Sequence, residues 1–267
     1  MSAVAASVPS DSVLRATDVH LAFGGVMALG GVSFEVRSGE VFSIIGPNGA
    51  GKTTMLNAIS GVYRVTRGRI EFADRDVTRA RTHTLATMGL GRTFQNLALF
   101  RGMAVEENIL VGRHGLMRSG VFACGIHVGA ARAEEKRHRK RVAEIVEFLG
   151  LTAVARVAAD TLPYGLQKRV ELGRAMAIEP KLLLLDEPMA GMNHGEKNEL
   201  MRLITRLNQE MGVTLILIEH DMGVVMSLSD RVVVLDHGVK IAEGTPAEVS
   251  ADENVISAYL GRDDCEH

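Results

Sequence analysis

The chain has 267 residues, of which 46% are hydrophobic, and a formal net charge of −2. Such a length buries a substantial core, and the mild acidity argues against a surface built to hold nucleic acid. The two cysteines, Cys124 and Cys265, lie far apart without C-x-x-C spacing, so they suggest neither a disulfide framework nor a zinc site, and a reducing compartment fits.

In chain order, Met1–Asp11 lacks the basic-then-apolar pattern of a signal peptide and reads as a flexible tail. Ser12–Phe23 and Val32–Val36 read as strands of an antiparallel start, followed by the apolar strand Val41–Ile45, a Gly-rich loop and a helix over Thr53–Ile59. A strand at Arg69–Phe72 precedes a long, mostly helical stretch from about Asn96 to Ile178. Within it Val142, Ile145, Val146 and Leu149 fall at i, i+3, i+4 and i+7, and Gly150 reads as the helix's C-terminal stop. The basic run inside Glu134–Arg141 is flanked by Glu134, Glu135, Glu144 and Glu147 at ion-pair spacings, so it reads as a solvated helix face. The most apolar neighbourhood here, Val121–Ala131, is Gly-rich and interrupted by His127, far short of the about 18 residues a transmembrane helix needs. Strands follow at Leu182–Leu185, Thr214–Ile218, Arg231–Leu235 and Val239–Ala242, the last two joined by the tight-turn signal Asp236-His237-Gly238. Continuous Val/Ile/Leu strands separated by helices predict an α/β fold with a mixed sheet. The expected division is a tail at 1–11, one domain at 12–260 and a tail at 261–267. Its core occupies 12–95 and 179–260, and a helical subdomain is inserted at about 96–178.

Two segments carry chemistry. Gly46-Pro47-Asn48-Gly49-Ala50-Gly51-Lys52-Thr53-Thr54 fits G-x-x-x-x-G-K-[ST] between a strand and a helix, the context that makes this motif a phosphate cradle. Its glycines let successive backbone N–H groups point inward, the helix N-terminus adds its dipole, Lys52 reaches the terminal phosphate and Thr53 offers a hydroxyl to Mg²⁺. Leu182-Leu183-Leu184-Leu185-Asp186-Glu187 is a buried strand ending in two acids. Beside a phosphate loop, Asp186 is expected in the Mg²⁺ shell and Glu187 where an attacking water is polarised.

With these residues in place the chain resembles the ATP-binding subunit of an ATP-binding cassette (ABC) transporter, from about Val13 to Leu260. The matching segments, in family order, are Gly46–Thr54, Gln95, Leu162-Pro163-Tyr164-Gly165-Leu166, Asp186-Glu187, the Ala190–Asn193 loop and His220. The resemblance implies a P-loop NTPase core with an N-terminal antiparallel β subdomain, the helical insertion, and ATP with Mg²⁺ as cofactors. It gives Gln95 the task of sensing Mg²⁺ and water, His220 that of contacting the γ-phosphate and positioning Glu187, and Phe23 that of stacking on adenine. Phe23-Gly24-Gly25 with Ala28-Leu29, Gly91-Arg92-Thr93-Phe94-Gln95, Ala190-Gly191-Met192-Asn193 and Glu219-His220-Asp221-Met222 resemble the ATPases of branched-chain amino acid importers in particular.

The signature segment departs from the family's usual L-S-G-G-Q. Pro163 replaces the serine, Tyr164 the first glycine and Leu166 the glutamine. Proline lacks the hydroxyl and the N–H, which leaves the Gly165 backbone and the dipole of a following helix, expected over Gln167–Ala177. By resemblance, this segment closes with Tyr164 and Gly165 over the ATP of a second chain, the same or a homologue, in a head-to-tail dimer. The further partners implied are integral membrane permeases, with a periplasmic solute-binding protein acting indirectly, at the cytoplasmic face of the inner membrane. Three other readings share parts of the pattern: an ABC export or lipid-extraction ATPase, a non-transport ABC ATPase, and a simple P-loop kinase or GTPase. The last leaves Leu162–Leu166 and His220 unexplained.

Overall fold

The computed structural model describes residues 12–93, 97–116 and 128–260; the expected tails at 1–11 and 261–267, Gln95, Cys124 and Cys265 lie outside the described residues. In chain order its strands and α-helices are β1 (Ser12–Phe23), β2 (Val26–Arg37), β3 (Val41–Ile45), α1 (Lys52–Ile59), β4 (Arg67–Phe72), β5 (Arg75–Asp76), α2 (Thr82–Thr87) and β6 (Leu90–Arg92). Next come α3 (Val105–Val111), α4 (Val128–Phe148), α5 (Tyr164–Met176), β7 (Leu182–Asp186), α6 (His194–Met211), β8 (Thr214–Ile218) and α7 (Met222–Leu228). The chain closes through β9 (Arg231–Asp236), β10 (Val239–Gly244), α8 (Pro246–Ser250) and α9 (Glu253–Leu260).

These strands form two sheets, an antiparallel one in the order β2-β1-β4-β5 and a mixed one in the order β10-β9-β3-β8-β7-β6. Within the mixed sheet β9, β3, β8, β7 and β6 run parallel and β10 alone is reversed. Every residue of β3, β7 and β8 is buried, because both faces of this sheet are covered, and this explains why those strands are apolar without alternation. The two-residue pleat still sorts the side chains. Leu182, Leu184, Ile216 and Ile218 join the core beneath the antiparallel sheet and α1, where the rings of Phe34 and Phe42 stack with centroids 5.2 Å apart. Leu183, Leu185, Leu215 and Leu217 face the helices, sharing a core with Val105, Ile109, Val170, Leu200 and Leu207.

The helical stretch follows the sequence pattern closely. Val142, Ile145, Val146 and Leu149 are all buried in that second core. Beyond α4 the chain adopts a left-handed turn at Gly150, φ +67°, with Leu151 N–H bonded to Val146 O and Gly150 N–H to Glu147 O, the Schellman arrangement that a glycine at this position allows. On the outer face Arg139 pairs with Glu135 and Arg141 with Glu144, as the charge spacing requires. His138 departs from that solvated face: it is buried, and its Nδ1 accepts a bond from Arg113 Nε at 2.8 Å.

β6 has only three residues, Leu-Gly-Arg, too short for any periodicity, and is held by parallel pairing with β7. The Asp236-His237-Gly238 signal forms the expected turn between β9 and β10, with φ of +45° at His237 and +78° at Gly238, the left-handed pair that matches the twist of a two-residue hairpin.

Candidate active site

The parallel strands β3, β8 and β7 are neighbours, so the loops leaving their C-terminal ends converge on one edge, the usual ligand edge of such sheets. Residues 46–51 leave β3 there and lead straight into α1. Gly46 has φ +145°, and a Cβ placed on it would lie 2.0 Å from the Leu235 carbonyl oxygen. Gly51, at φ +98°, occupies the N-cap position of α1 and supplies no side-chain cap, so no cap side chain competes with an anion at the helix N-terminus. Lys52 is buried, and its Nζ donates to the carbonyls of Gly46 at 2.7 Å and Pro47 at 3.0 Å. The ammonium is thus held over the mouth of its own loop.

A cleft of about 510 Å³ opens in front of this loop. Asn48, Gly49, Ala50, Gly51, Lys52, Thr53 and Thr54 line one side of it, with Glu187 and the residues Val26, Met27, Ala28, His237 and Gly238 completing the wall. A cleft of equal volume lies beside β4. It has no loop of aimed N–H groups, and its residues Arg67 and Arg69 are already paired with acids.

Glu187 follows β7 in a left-handed backbone conformation, φ +47°, which costs on the order of 1–2 kcal/mol for a residue with a Cβ. Its N–H is fixed by the Ile218 carbonyl at 3.0 Å. Asp186 is 1% exposed. Its Oδ2 is bound by Arg92 Nη2 at 2.9 Å, whereas Oδ1 is buried without a hydrogen-bond partner. Burial pushes the Asp186 carboxyl above the usual range, and the bond from Arg92 opposes that. A buried carboxylate oxygen with no donor, beside a cleft that Thr53 also lines, suits the shell of a hard cation such as Mg²⁺.

The other expected residues sit around this centre rather than all in it. Phe23 is exposed at the end of β1, edge-on to Tyr63 at 5.0 Å, and pairs across the strands with Val26 of the cleft wall. His220 is exposed at the end of β8. Its chain neighbours are anchored: Glu219 accepts from Met189 N–H at 3.1 Å, and Asp221 caps α7 and pairs with Lys197 at 2.7 Å. Burial raises the Glu219 carboxyl above its ordinary range. Tyr164 and Gly165 do not line the cleft. The helix expected at Gln167–Ala177 begins three residues earlier, because Pro163 itself is the N-cap, φ −52° and ψ 147°, and its carbonyl accepts from Leu166 and Gln167. Gly165 therefore lies in the first turn, buried so close to Glu196 that a Cβ would meet its carboxylate at 2.7 Å. Tyr164 Oη donates to the Ala190 carbonyl at 3.1 Å, tying the segment to the Ala190–Asn193 loop.

The sequence marks His237 only as a turn residue, yet it lines the cleft. It reaches the cleft because the hairpin folds over the phosphate loop, with Gly238 N–H bonded to Ala50 O and Gly30 N–H to Gly238 O. Only strand pairing reveals this.

The loop's geometry predicts two different penalties. Gly46→Ala meets both a forbidden φ and a backbone oxygen, and is expected to cost about 3 kcal/mol, roughly 6–12 °C in Tm. Gly49→Ala, at φ +79° with nothing within 4 Å, is expected to cost about 1 kcal/mol, roughly 2–4 °C. Thermal melts of the two variants check the order.

Residues 29–190 match the family model described as ABC transporter, and residues 239–265 the one described as Branched-chain amino acid ATP-binding cassette transporter. The high-affinity branched-chain amino acid transport ATP-binding protein LivG of Salmonella typhimurium is 42% identical, covering 94% of this chain and 99% of its own. Among solved structures, the ADP conformation of MJ1267, an ATP-binding cassette of an ABC transporter, superposes with a TM-score of 0.82 at 33% identity, covering 94% of this chain and 99% of that one. A dimeric post-hydrolysis state of the cassette MJ0796, bound to ADP and Pi, gives a TM-score of 0.73 at 26% identity over 87% of this chain and 98% of that one.

Proposed function

The chain belongs to the ABC transporter family of ATP-binding proteins, and from that premise we propose that it is the ATPase subunit of an importer for branched-chain or related amino acids. One observation carries the catalytic part: a single cleft brings the phosphate loop at the N-terminus of α1 to Glu187. The amino-acid class is supported by LivG, which spans nearly the whole chain, and by the match at 239–265.

In this reading the N–H groups of Gly46, Asn48, Gly49, Ala50, Gly51, Lys52, Thr53 and Thr54, with the Lys52 ammonium, bind the phosphates of ATP, while Pro47 shapes the turn and Phe23 stacks on the base. Thr53 and Asp186 would hold Mg²⁺, with Gln95 completing its shell, and a cation held there would supply neutralisation of charge on the phosphates. Glu187 takes the proton of the attacking water, and His220 orients it. Tyr164 and Gly165 lie off the cleft of their own chain, which suits residues that serve the ATP of a second cassette, and the similar cassette MJ0796 is dimeric with ADP and Pi bound. The helical insertion at about 96–178 is the subdomain that carries them. None of the helices among the described residues is long and apolar enough to cross a membrane. In this reading the chain works through permease partners, at the cytoplasmic face of the inner membrane, with a periplasmic binding protein delivering solute.

The test is co-purification with its permeases, followed by reconstitution in liposomes. ATP hydrolysis should rise when leucine-loaded binding protein is present inside and should grow more than linearly with cassette concentration in detergent. Recovery with permeases that have no binding protein and export lipid would overturn the importer reading. Full-rate hydrolysis by a strictly monomeric chain would overturn the paired site.

A further inference from the structure

Arg92 is the last residue of β6, and its side chain is 10% exposed. Its guanidinium reaches two other elements at once. Nη1 donates to Asn57 Oδ1 and Ser60 Oγ of the phosphate-loop helix and its cap, each at 2.7 Å. Nη2 donates to Asp186 Oδ2 at 2.9 Å. Ser60 is itself fixed, its hydroxyl donating to Leu56 O at 2.8 Å. The next residue continues the clamp: Thr93 N–H donates to Leu184 O at 2.9 Å and Thr93 Oγ1 accepts from Asp186 N–H at 3.4 Å. The end of β6 thus holds Asp186 through both its backbone and its carboxylate.

We propose that Arg92 is a positioning residue for Asp186. By binding Oδ2 it fixes the rotamer and reserves the unpartnered Oδ1 for the divalent cation, in a geometry referred to the phosphate-loop helix through Asn57 and Ser60. A guanidinium suits this task because its planar fork spans two sets of acceptors in fixed directions, which a lysine ammonium on a flexible stem cannot do. Partners that orient a ligating carboxylate typically set metal affinity by about 10–100-fold. The inference rests on the reading of Asp186 as a metal-shell residue.

The experiment uses the full chain, with Mn²⁺ as an electron-paramagnetic probe in the presence of ATP, and a fluorescent ATP analogue titrated in EDTA. In Arg92→Met, Mn²⁺ affinity should fall by about 10–100-fold, while nucleotide affinity in EDTA stays within about twofold. Arg92→Lys should recover only part of the loss. Asn57→Ala, which loosens the clamp without touching either charge, should show a smaller loss of the same kind and serves if Arg92→Met fails to fold. A fall in both affinities together would mark Arg92 as merely structural and overturn the proposal. Unchanged Mn²⁺ affinity in Arg92→Met, with a loss in Asp186→Asn, would overturn it while leaving Asp186 in the metal shell. No loss in Asp186→Asn would remove the reading beneath it.

Discussion

Replacing Glu187 by Gln should leave ATP binding intact and lower steady-state hydrolysis by about 10²–10⁴-fold, the range for removal of a positioned general base. The substitution is nearly isosteric, and Gln meets the same left-handed backbone at φ +47° with the same Ile218 anchor on its N–H. Folding stability should therefore barely change. What disappears is a negative charge facing the phosphate loop across the cleft. Its loss removes repulsion with the triphosphate, so affinity should hold or improve, and the nucleotide-bound pair should accumulate because the step that opens it no longer occurs. Gel filtration with ATP and Mg²⁺ should show a dimer for the variant where the parent shows mostly monomer. Hydrolysis by Glu187→Gln at the parental rate would take the proton-accepting role away from Glu187.

The residues that made this site legible are those whose constraints are local. A loop with Gly46, Gly49 and Gly51 can be read in sequence because each glycine answers to its own φ, and β7 and β8 because burial on both faces gives the continuous apolar runs Leu182–Leu185 and Leu215–Ile218. Arg92 is the opposite case. Its partners Asn57, Ser60 and Asp186 are 35, 32 and 94 positions away, and nothing in the string Gly-Arg-Thr distinguishes a clamp from a surface arginine. His237 was hidden for the same reason, since its place in the cleft depends on the β9–β10 hairpin meeting β2 and the phosphate loop. The signature segment lies between these extremes. Pro163 departs from the usual serine in the sequence itself, but the helix starts at Tyr164 and not at Gln167 because proline, with no N–H to donate, serves at the cap and offers its carbonyl to the first turn. That shift puts Gly165 against Glu196 and Tyr164 on Ala190, contacts within one chain that no spacing rule contains.

Lys52→Met should produce the largest loss of nucleotide affinity of any single change in the loop that preserves the fold. Methionine keeps most of the apolar stem, so the packing of α1 against the sheet is retained. The ammonium's bonds to the carbonyls of Gly46 and Pro47 go with it. Those bonds show that the loop is already shaped around a cation: two carbonyl dipoles converge on one buried Nζ, which offsets its desolvation and pins it at the mouth of the cradle. A phosphate arriving there meets a charge that needs little further organisation. A hydrogen bond to a charged group contributes about 1.5–3 kcal/mol, so ATP should bind roughly 10- to 150-fold more weakly. The deficit should shrink as ionic strength rises, because its origin is charge. Titration with a fluorescent ATP analogue at low and high salt measures both effects, and circular dichroism melts separate them from unfolding. Affinity equal to the parent's in a well-folded Lys52→Met chain would mean that the backbone N–H groups of residues 48–54 hold the phosphates unaided.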